Sequence, residues 1–308
     1  MKIAVTGGAG FIASQIADAY VAAGHEVIVI DNLITGKRVN VPRGAKFFEA
    51  DIRAPEIAEI FRSERPQVLS HHAAQLDVRK SVADPAFDAD VNLLGTLNLL
   101  EAAREVQIER VIFASSGGAV YGEPSVFPAP ESHPHRPISP YGITKSTGEH
   151  YLAFYHAVHG IPYTALRYSN VYGPRQDPHG EAGVVAIFAN LLRQGEAPTI
   201  YGDGKQTRDY VYVGDVVRAN LAALESDFVG PLNIGTGTET DVNELCERMR
   251  GITGCPHPAK HAPARAGEQQ RSVIAIGLAR EVLGWRPEVT LNEGLRRTIE
   301  FFRSRRAR

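Results

Sequence analysis

Runs of branched and aliphatic residues alternate with helical patterns through the first half of the chain. Lys2–Thr6, Glu26–Ile30, Lys46–Glu49, Gln67–Ser70, Arg110–Ser115 and Tyr163–Arg167 read as six short strands. Between them fall helical patterns at Phe11–Ala23, closed by Gly24, at Pro55–Arg65, at Asp84–Glu105, and from Pro140 to His159. The strands are apolar at consecutive rather than alternate positions, which is the pattern of strands buried on both faces. This alternation predicts an α/β protein with a Rossmann-like, doubly wound parallel sheet.

Past about residue 170 the texture changes, with glycine, proline and charge in GPRQDPHGEAG and YGDGKQTRDY. Helical pieces recur at Gly183–Gln194, Asp215–Glu225, Asp241–Met249 and Asn292–Arg303. The expected division is a Rossmann domain over 1–170 and a smaller mixed α/β substrate lobe over 171–308, with some of its segments returning to the sheet. The helix around Asp88–Arg104 carries Val91, Leu93, Leu94, Leu97, Leu99 and Leu100, so it is apolar on more than one face. Such a helix is either deeply buried or meets a second subunit, and a homodimer is expected.

Composition narrows the class. Of 308 residues, 44% are hydrophobic and 22% charged, and the formal net charge is −2. That balance gives no overall attraction to nucleic acid or anionic membrane, so neither is an expected partner. Any anionic ligand must be held by local arginines and backbone amides. The basic run Arg303, Arg305, Arg306 and Arg308 reads as a solvated tail. Two cysteines, Cys246 and Cys255, suit a reducing compartment better than a disulfide scaffold. No run approaches the roughly 18 apolar residues needed to span a bilayer, and a cytoplasmic location is expected. His71, His72, His133, His135 and His179 form no metal-binding spacing, so no metal is expected.

Two patterns carry chemistry. Val5-Thr6-Gly7-Gly8-Ala9-Gly10-Phe11-Ile12-Ala13 joins the first strand to the first helix. Glycines there admit a pyrophosphate to the backbone, and the helix start supplies amides and the positive end of a dipole. Asp31 ends the second strand, roughly 20 residues on, where a carboxylate accepts ribose hydroxyls and repels a 2′-phosphate, favouring NAD. Lys37 and Arg38 keep NADP open. Asp51 ends the third strand, placed either to meet the adenine amino group or to cap the next helix. The second pattern is Tyr141-Gly142-Ile143-Thr144-Lys145 at a helix start. Positions i and i+4 share a helix face, and an ammonium beside a phenol favours its charged form, making it a general base.

TGGAGFI at the start, Asp31-Asn32, HAAQ at 72–75, SSGGAVYGE at 115–123, YGITK at 141–145 and LRYSNVYGPRQ at 166–176 resemble the extended short-chain dehydrogenase/reductases. Within these the chain is most similar to NAD-dependent nucleotide-sugar epimerases of the UDP-glucose 4-epimerase type, over nearly its whole length. The resemblance implies 4-epimerisation of UDP-glucose and UDP-galactose, with their N-acetyl forms as further substrates, through transient oxidation at C4, rotation of the keto sugar and re-reduction. It implies Tyr141 as the base and Lys145 as its partner. Gly7, Gly10, Phe11, Ile12, Asp31, Asn32, Lys37, Asp51, Ile52, Ala73, Ala74, Gln75, Asn92 and Ser115 would surround NAD, with Tyr168 near the nicotinamide. Asn170, Arg208 and Arg265 would hold the sugar diphosphate, Glu268 the ribose, and Thr199 and Tyr201 the uracil.

The chain departs from the pattern at Gly117, where the family usually has a serine or threonine bridging the sugar hydroxyl and the tyrosine. Three routes stay open for the proton: Ser116, a water, or direct contact with Tyr141. A serine at 117 is expected to change activity by less than about tenfold, ~1.4 kcal/mol. Gly118 and Ala119 stand where related dehydratases and decarboxylases carry carboxylates. Ser272, seven residues after Arg265, is small enough to leave space for a C2 N-acetyl group. A UDP-glucuronate 4-epimerase, an NAD(P)-dependent sugar dehydrogenase and a non-catalytic NAD-binding protein are the alternatives.

Overall fold

The computed structural model describes residues 1–178, 183–264 and 269–304. Six of its strands follow the apolar runs closely: β1 (Lys2–Thr6), β2 (Glu26–Asp31), β3 (Lys46–Glu49), β4 (Val68–His71), β5 (Arg110–Ser116) and β6 (Tyr163–Tyr168). They interleave with α1 (Phe11–Ala22), α2 (Glu56–Glu64), α3 (Val78–Ala83), α4 (Pro85–Ala89), α5 (Gly95–Glu105) and α6 (Pro140–His159). The second half contributes β7 (Asn170–Tyr172), α7 (Val184–Leu192), β8 (Thr199–Tyr201), β9 (Thr207–Arg208), β10 (Tyr210–Tyr212), α8 (Val213–Glu225) and β11 (Gly230–Ile234). It closes with β12 (Thr240–Asp241), α9 (Val242–Thr253), β13 (Lys260–Ala262), β14 (Arg271–Ser272), α10 (Gly277–Leu283) and α11 (Leu291–Ser304).

The central sheet has seven strands in the order β11-β6-β5-β4-β1-β2-β3. Every neighbouring pair is parallel. The winding reverses between β1 and β4, and in open parallel sheets the crevice beyond the strand ends at that point takes the ligand. One face is covered by α1, α8 and α10 through Ile16, Tyr20, Val216, Ala219 and Ala279. The other is covered by α2, α5 and α6 through Ile57, Phe61, Leu99, Leu100 and Leu152. Both faces being dry explains the unbroken apolar strands. The smaller lobe has its own core, where α7, α9 and α11 pack through Phe188, Leu245, Met249 and Ile299. β11, α8 and α10 return to the large sheet from the second half.

The stretch expected as one helix over 84–105 is interrupted. α4 and α5 are joined by a π-helical turn, Asp90–Leu94, centred on Asn92. α3, unforeseen from periodicity, is a single short helix capped by the Asp77 carboxylate. Among the described residues no helix is long and apolar enough to cross a membrane.

Candidate active site

The glycine loop between β1 and α1 closes against the chain rather than standing open. Gly7 has φ 68, and a Cβ there would lie 2.8 Å from the Ala73 amide, so only glycine fits. A Cβ at Gly10 would meet the Gly7 carbonyl at 3.1 Å. α1 starts at Phe11 with no capping side chain and no acid in its first turn. Its first amides and dipole therefore suit an anionic diphosphate. Ala13, in place of a third glycine, is buried in the core beneath. Asp31 is buried, and its two oxygens accept from the Ala9 amide (2.9 Å) and the Leu33 amide (2.8 Å). Burial raises its carboxyl above the usual range, and those two amides oppose the shift. A Cβ on Gly36 would lie 2.6 Å from this carboxylate, so the following loop passes close over it.

The cations that left NADP open are engaged by acids. Lys37 pairs with Asp177 at 3.0 Å. Arg38 lies 3.6 Å from Glu49 and 4.3 Å above the Phe47 ring. Asp51 does not cap α2, whose N-cap is Pro55. Its carboxylate accepts from the Arg53 Nε (2.9 Å), Nη2 (2.8 Å) and amide (2.9 Å), and from the Asn32 amide side chain (3.1 Å). The Arg53 bonds hold it well below the usual carboxylate range. Ile52 beside it is buried.

The 73–75 loop reaches the same crevice. Thr6 Oγ1 accepts from the Ala73 amide at 3.2 Å, and Ala74 follows in the half-buried stretch. Asn92 is spent on this loop: its Oδ1 accepts the Gln75 amide and its Nδ2 donates to the Gln75 carbonyl, both at 2.8 Å. Expected beside the cofactor, Asn92 pins the backbone of this loop, and the π-helical turn brings it into position.

Tyr141 and Lys145 lie on the first turns of α6, started by the Ser139 hydroxyl, which accepts the Gly142 amide at 3.1 Å, and by Pro140. Ser81 on α3 accepts the Tyr141 amide at 3.3 Å. The buried Lys145 donates to the Ala114 carbonyl at 2.8 Å, and its Nζ stands 5.8 Å from the centre of the Tyr141 ring. Lys145 is therefore anchored at the C-terminal half of β5, the strand next to β4 at the switch point.

β5 sends its last two serines to opposite faces, as alternation requires. Ser115, expected at the cofactor, turns its hydroxyl under α6 to donate to Glu149. Ser116 stays on the crevice side, 4.0 Å from where a Cβ of Gly118 would be. Tyr168 ends β6 rather than following it, and its buried hydroxyl accepts from Asn220 at 2.8 Å, with its ring stacked on His72. Its hydroxyl is thereby directed into the core and not toward the crevice.

In the second half, Asn170 opens β7, and Arg208 is in register with Ser272 where β9 and β14 pair. Thr199 and Tyr201 occupy one outward face of β8, with Ile200 buried between them. Arg265, Glu268 and His179 lie outside the described residues. The GPRQ turn is tied to α1 by Arg175, through Ser14 (3.0 Å) and Asp18 (2.7 Å), and by Gln15, which donates to the Pro174 carbonyl at 2.9 Å.

His71 is buried and His72 half-buried, and desolvation with the nearby Lys145 charge lowers both pKa values, that of His72 to about 3. His71 bonds Thr6 (2.7 Å) and Thr96 (2.9 Å), and His72 bonds Ser70 (2.9 Å). Among the described residues no group of three or more histidine, cysteine or acidic side chains could hold a metal. Sequence reasoning missed a buried polar chain behind the site. Arg167 bonds Glu149 at 2.6 Å, the Tyr121 hydroxyl at 2.8 Å and His135 at 2.6 Å. Glu149 follows Lys145 by one helical turn, which was the available signal.

The chain matches the NAD dependent epimerase/dehydratase family over residues 3–235. It is 44% identical over 311 residues to the UDP-glucose 4-epimerase of Mycolicibacterium smegmatis, covering 99% of each chain. It superposes on the UDP-glucose 4-epimerase of Thermotoga maritima, solved with UDP-glucose, with a TM-score of 0.98, 49% identity and 99% of each chain covered. The Thermus thermophilus UDP-glucose 4-epimerase, solved with NAD, gives a TM-score of 0.94 at 49% identity, covering 98% of this chain and 99% of the other.

Proposed function

Because the chain belongs to the NAD dependent epimerase/dehydratase family, we propose that it interconverts UDP-glucose and UDP-galactose, and their N-acetyl forms, by inversion at C4. The observation that carries this reading is the placement of Tyr141 and buried Lys145 at the C-terminal end of the sheet, beside a glycine loop shaped for a diphosphate. NAD, when bound, supplies the hydride acceptor and donor. Tyr141 takes the O4 proton as the C4 carbonyl forms and returns it once the keto sugar has turned about its phosphate linkage. Lys145, fixed by the Ala114 carbonyl, places a positive charge beside the phenolate and favours it. Asn170 on β7 and Arg208 on β9 would hold the diphosphate, for which an amide and a guanidinium are suited.

Related dehydratase chemistry needs carboxylates where this chain has Gly118 and Ala119. The polar atoms nearest position 118 are two hydroxyls and an amide oxygen, which supply no such acid or base. Incubating the purified chain with UDP-galactose and no added NAD should yield UDP-glucose. Tyr141→Phe should lower kcat by about 10²- to 10⁴-fold while bound NAD is retained. Turnover that needs stoichiometric NAD, or a fully active Tyr141→Phe chain, would defeat the reading.

Two further parts of the proposal concern state and place. Ile143, Tyr151, Phe154 and Val158 form one exposed apolar stripe on α6, flanked by exposed Leu94 and Val82. That stripe supports a homodimer. The two cysteines are unpaired, which supports a cytoplasmic location.

A further inference from the structure

α4 carries a carboxylate that water does not reach: Asp88 is 0% exposed. Three uncharged side chains from three segments donate to it. Gln75 Nε2, in the loop after β4, meets Oδ1 at 2.9 Å. Asn92 Nδ2, in the π-helical turn, meets Oδ1 at 3.1 Å. Thr144 Oγ1, on α6, meets Oδ2 at 2.9 Å. Burying a carboxylate is costly unless hydrogen bonds compensate, and a fully bonded buried network holds its members rigidly.

Both sides of this carboxylate lead to the candidate site. Thr144 lies between Tyr141 and Lys145 in the chain, and its hydroxyl is also 3.0 Å from the Tyr141 carbonyl. Gln75 is engaged at both ends of its side chain: Oε1 accepts the Asp77 amide at 2.9 Å, and Nε2 also donates to the Asp77 carbonyl at 3.0 Å. Asp77 caps α3, and Ser81 on α3 accepts the Tyr141 amide at 3.3 Å. Asp88 thus reaches the start of α6 by two routes. Two residues before Gln75, the Ala73 amide lies 2.8 Å from where a Cβ of Gly7 would be, so the same loop packs directly on the glycine turn.

We propose that Asp88 is a positioning residue: its carboxylate sets the glycine turn and the 73–77 loop against the turns of α6 that bear Tyr141 and Lys145. The inference rests on the epimerase reading above and adds to it the group that keeps the cofactor loop and the base in register. Asp88 acts through Gln75 and Thr144 and not on the sugar. Proton and hydride leave the same carbon–oxygen unit, so both acceptors must be aligned at once. A misplacement of about 1 Å costs on the order of a hundredfold in rate. The residues proposed for the diphosphate, Asn170 and Arg208, stand on β7 and β9, so a fault in this junction should appear in kcat and not in KM.

The test compares Asp88→Ala, Asp88→Asn and Thr144→Val with the natural chain on UDP-galactose, with kcat taken per bound NAD. Asp88→Ala removes every one of these bonds and should lower kcat at least tenfold, with KM within threefold. Asp88→Asn keeps an oxygen for Gln75 and Asn92 and turns an amide toward the Thr144 hydroxyl, which can accept. It should retain at least a third of the natural kcat. Thr144→Val removes only the bond to α6 and should lower kcat at least threefold, a result that stands even where Asp88→Ala does not fold. A smaller loss of kcat in Asp88→Ala or in Thr144→Val overturns the inference. So does an Asp88→Asn chain below a third of the natural kcat, since the charge and not the bonds would then matter. A loss carried by KM overturns it as well, because the junction would then serve substrate binding. A natural chain that turns over no UDP-hexose overturns the functional reading and this inference with it.

Discussion

At the scale of single residues, Gly117 illustrates how sequence and geometry answer different questions. The motif shows that a hydroxyl is missing there, and a serine was expected to alter activity by less than tenfold. In the structure a Cβ at this position would lie 2.9 Å from Ile274 Cδ1 and 3.2 Å from the Arg167 carbonyl, so a side chain there has to displace the protein around it. Gly117→Ser is therefore expected to cost about 1–3 kcal/mol of stability, typical of overpacking, with kcat on UDP-galactose within tenfold of natural. Urea unfolding and steady-state rates on the same preparation check both halves. Three histidines with depressed pKa values carry a second prediction. His71, His72 and His135 have folded pKa values depressed by burial, His135 also by Arg167. The unfolded chain binds more protons than the folded one once pH falls below about 6.5. Stability should then drop by up to about 1.4 kcal/mol per pH unit per histidine. A urea midpoint that stays flat between pH 7 and pH 5 would show that these imidazoles are protonated in the fold.

At the scale of elements, the parallel sheet, α1, α6 and the Tyr141–Lys145 face were legible because each rests on local pattern: consecutive apolar residues, a glycine turn, a serine cap before proline. The π-helical turn at Asn92 was not, because it is set by bonds from the Asn92 amide to Gln75, seventeen positions earlier. Nor was the fate of Ser115, which alternation along β5 assigns to the far face, or that of Tyr168, whose hydroxyl is claimed by α8. The buried chain Glu149–Arg167–Tyr121 was equally hidden, since its members come from α6, β6 and the turn after β5. It continues from the Tyr121 hydroxyl to Asn233 on β11 at 2.7 Å. This network locks the helix bearing Tyr141 and Lys145 to the turn bearing Gly117 and Gly118. Removing one member of a buried ion pair leaves the other charge uncompensated, typically at about 3–5 kcal/mol. Arg167→Met should therefore lower stability by that amount, read as a shifted denaturant midpoint. Replacing both partners, Arg167→Met with Glu149→Leu, should recover part of the loss. If the double variant is no more stable than the single, the pair is not coupled as its geometry requires.

At the scale of the whole molecule, α6 carries the proposed catalytic pair on one side and an exposed apolar stripe on another. Its first turns present Tyr141 and Lys145 to the crevice, while Ile143, Phe154 and Val158, 50%, 49% and 60% exposed, run down its outer side. Their spacing keeps them on one face of the helix, next to Leu94 from the π-helical turn. Scattered apolar residues are ordinary on a surface, but a continuous stripe marks a contact. A two-fold axis along this stripe would set α6 against its own copy, with each residue meeting an equivalent apolar face. Homodimerisation accounts for the stripe without invoking a second protein. Phe154→Glu puts a charge at its middle and should convert the dimer to monomer in light scattering at tens of micromolar, with a lower melting temperature. Because the proposed catalytic pair and the proposed interface share α6, specific activity of the natural chain should also decline on dilution below the dimer dissociation constant. A natural chain that is monomeric at high concentration, or a Phe154→Glu chain that remains dimeric, would place the contact elsewhere and leave α6 with a single role.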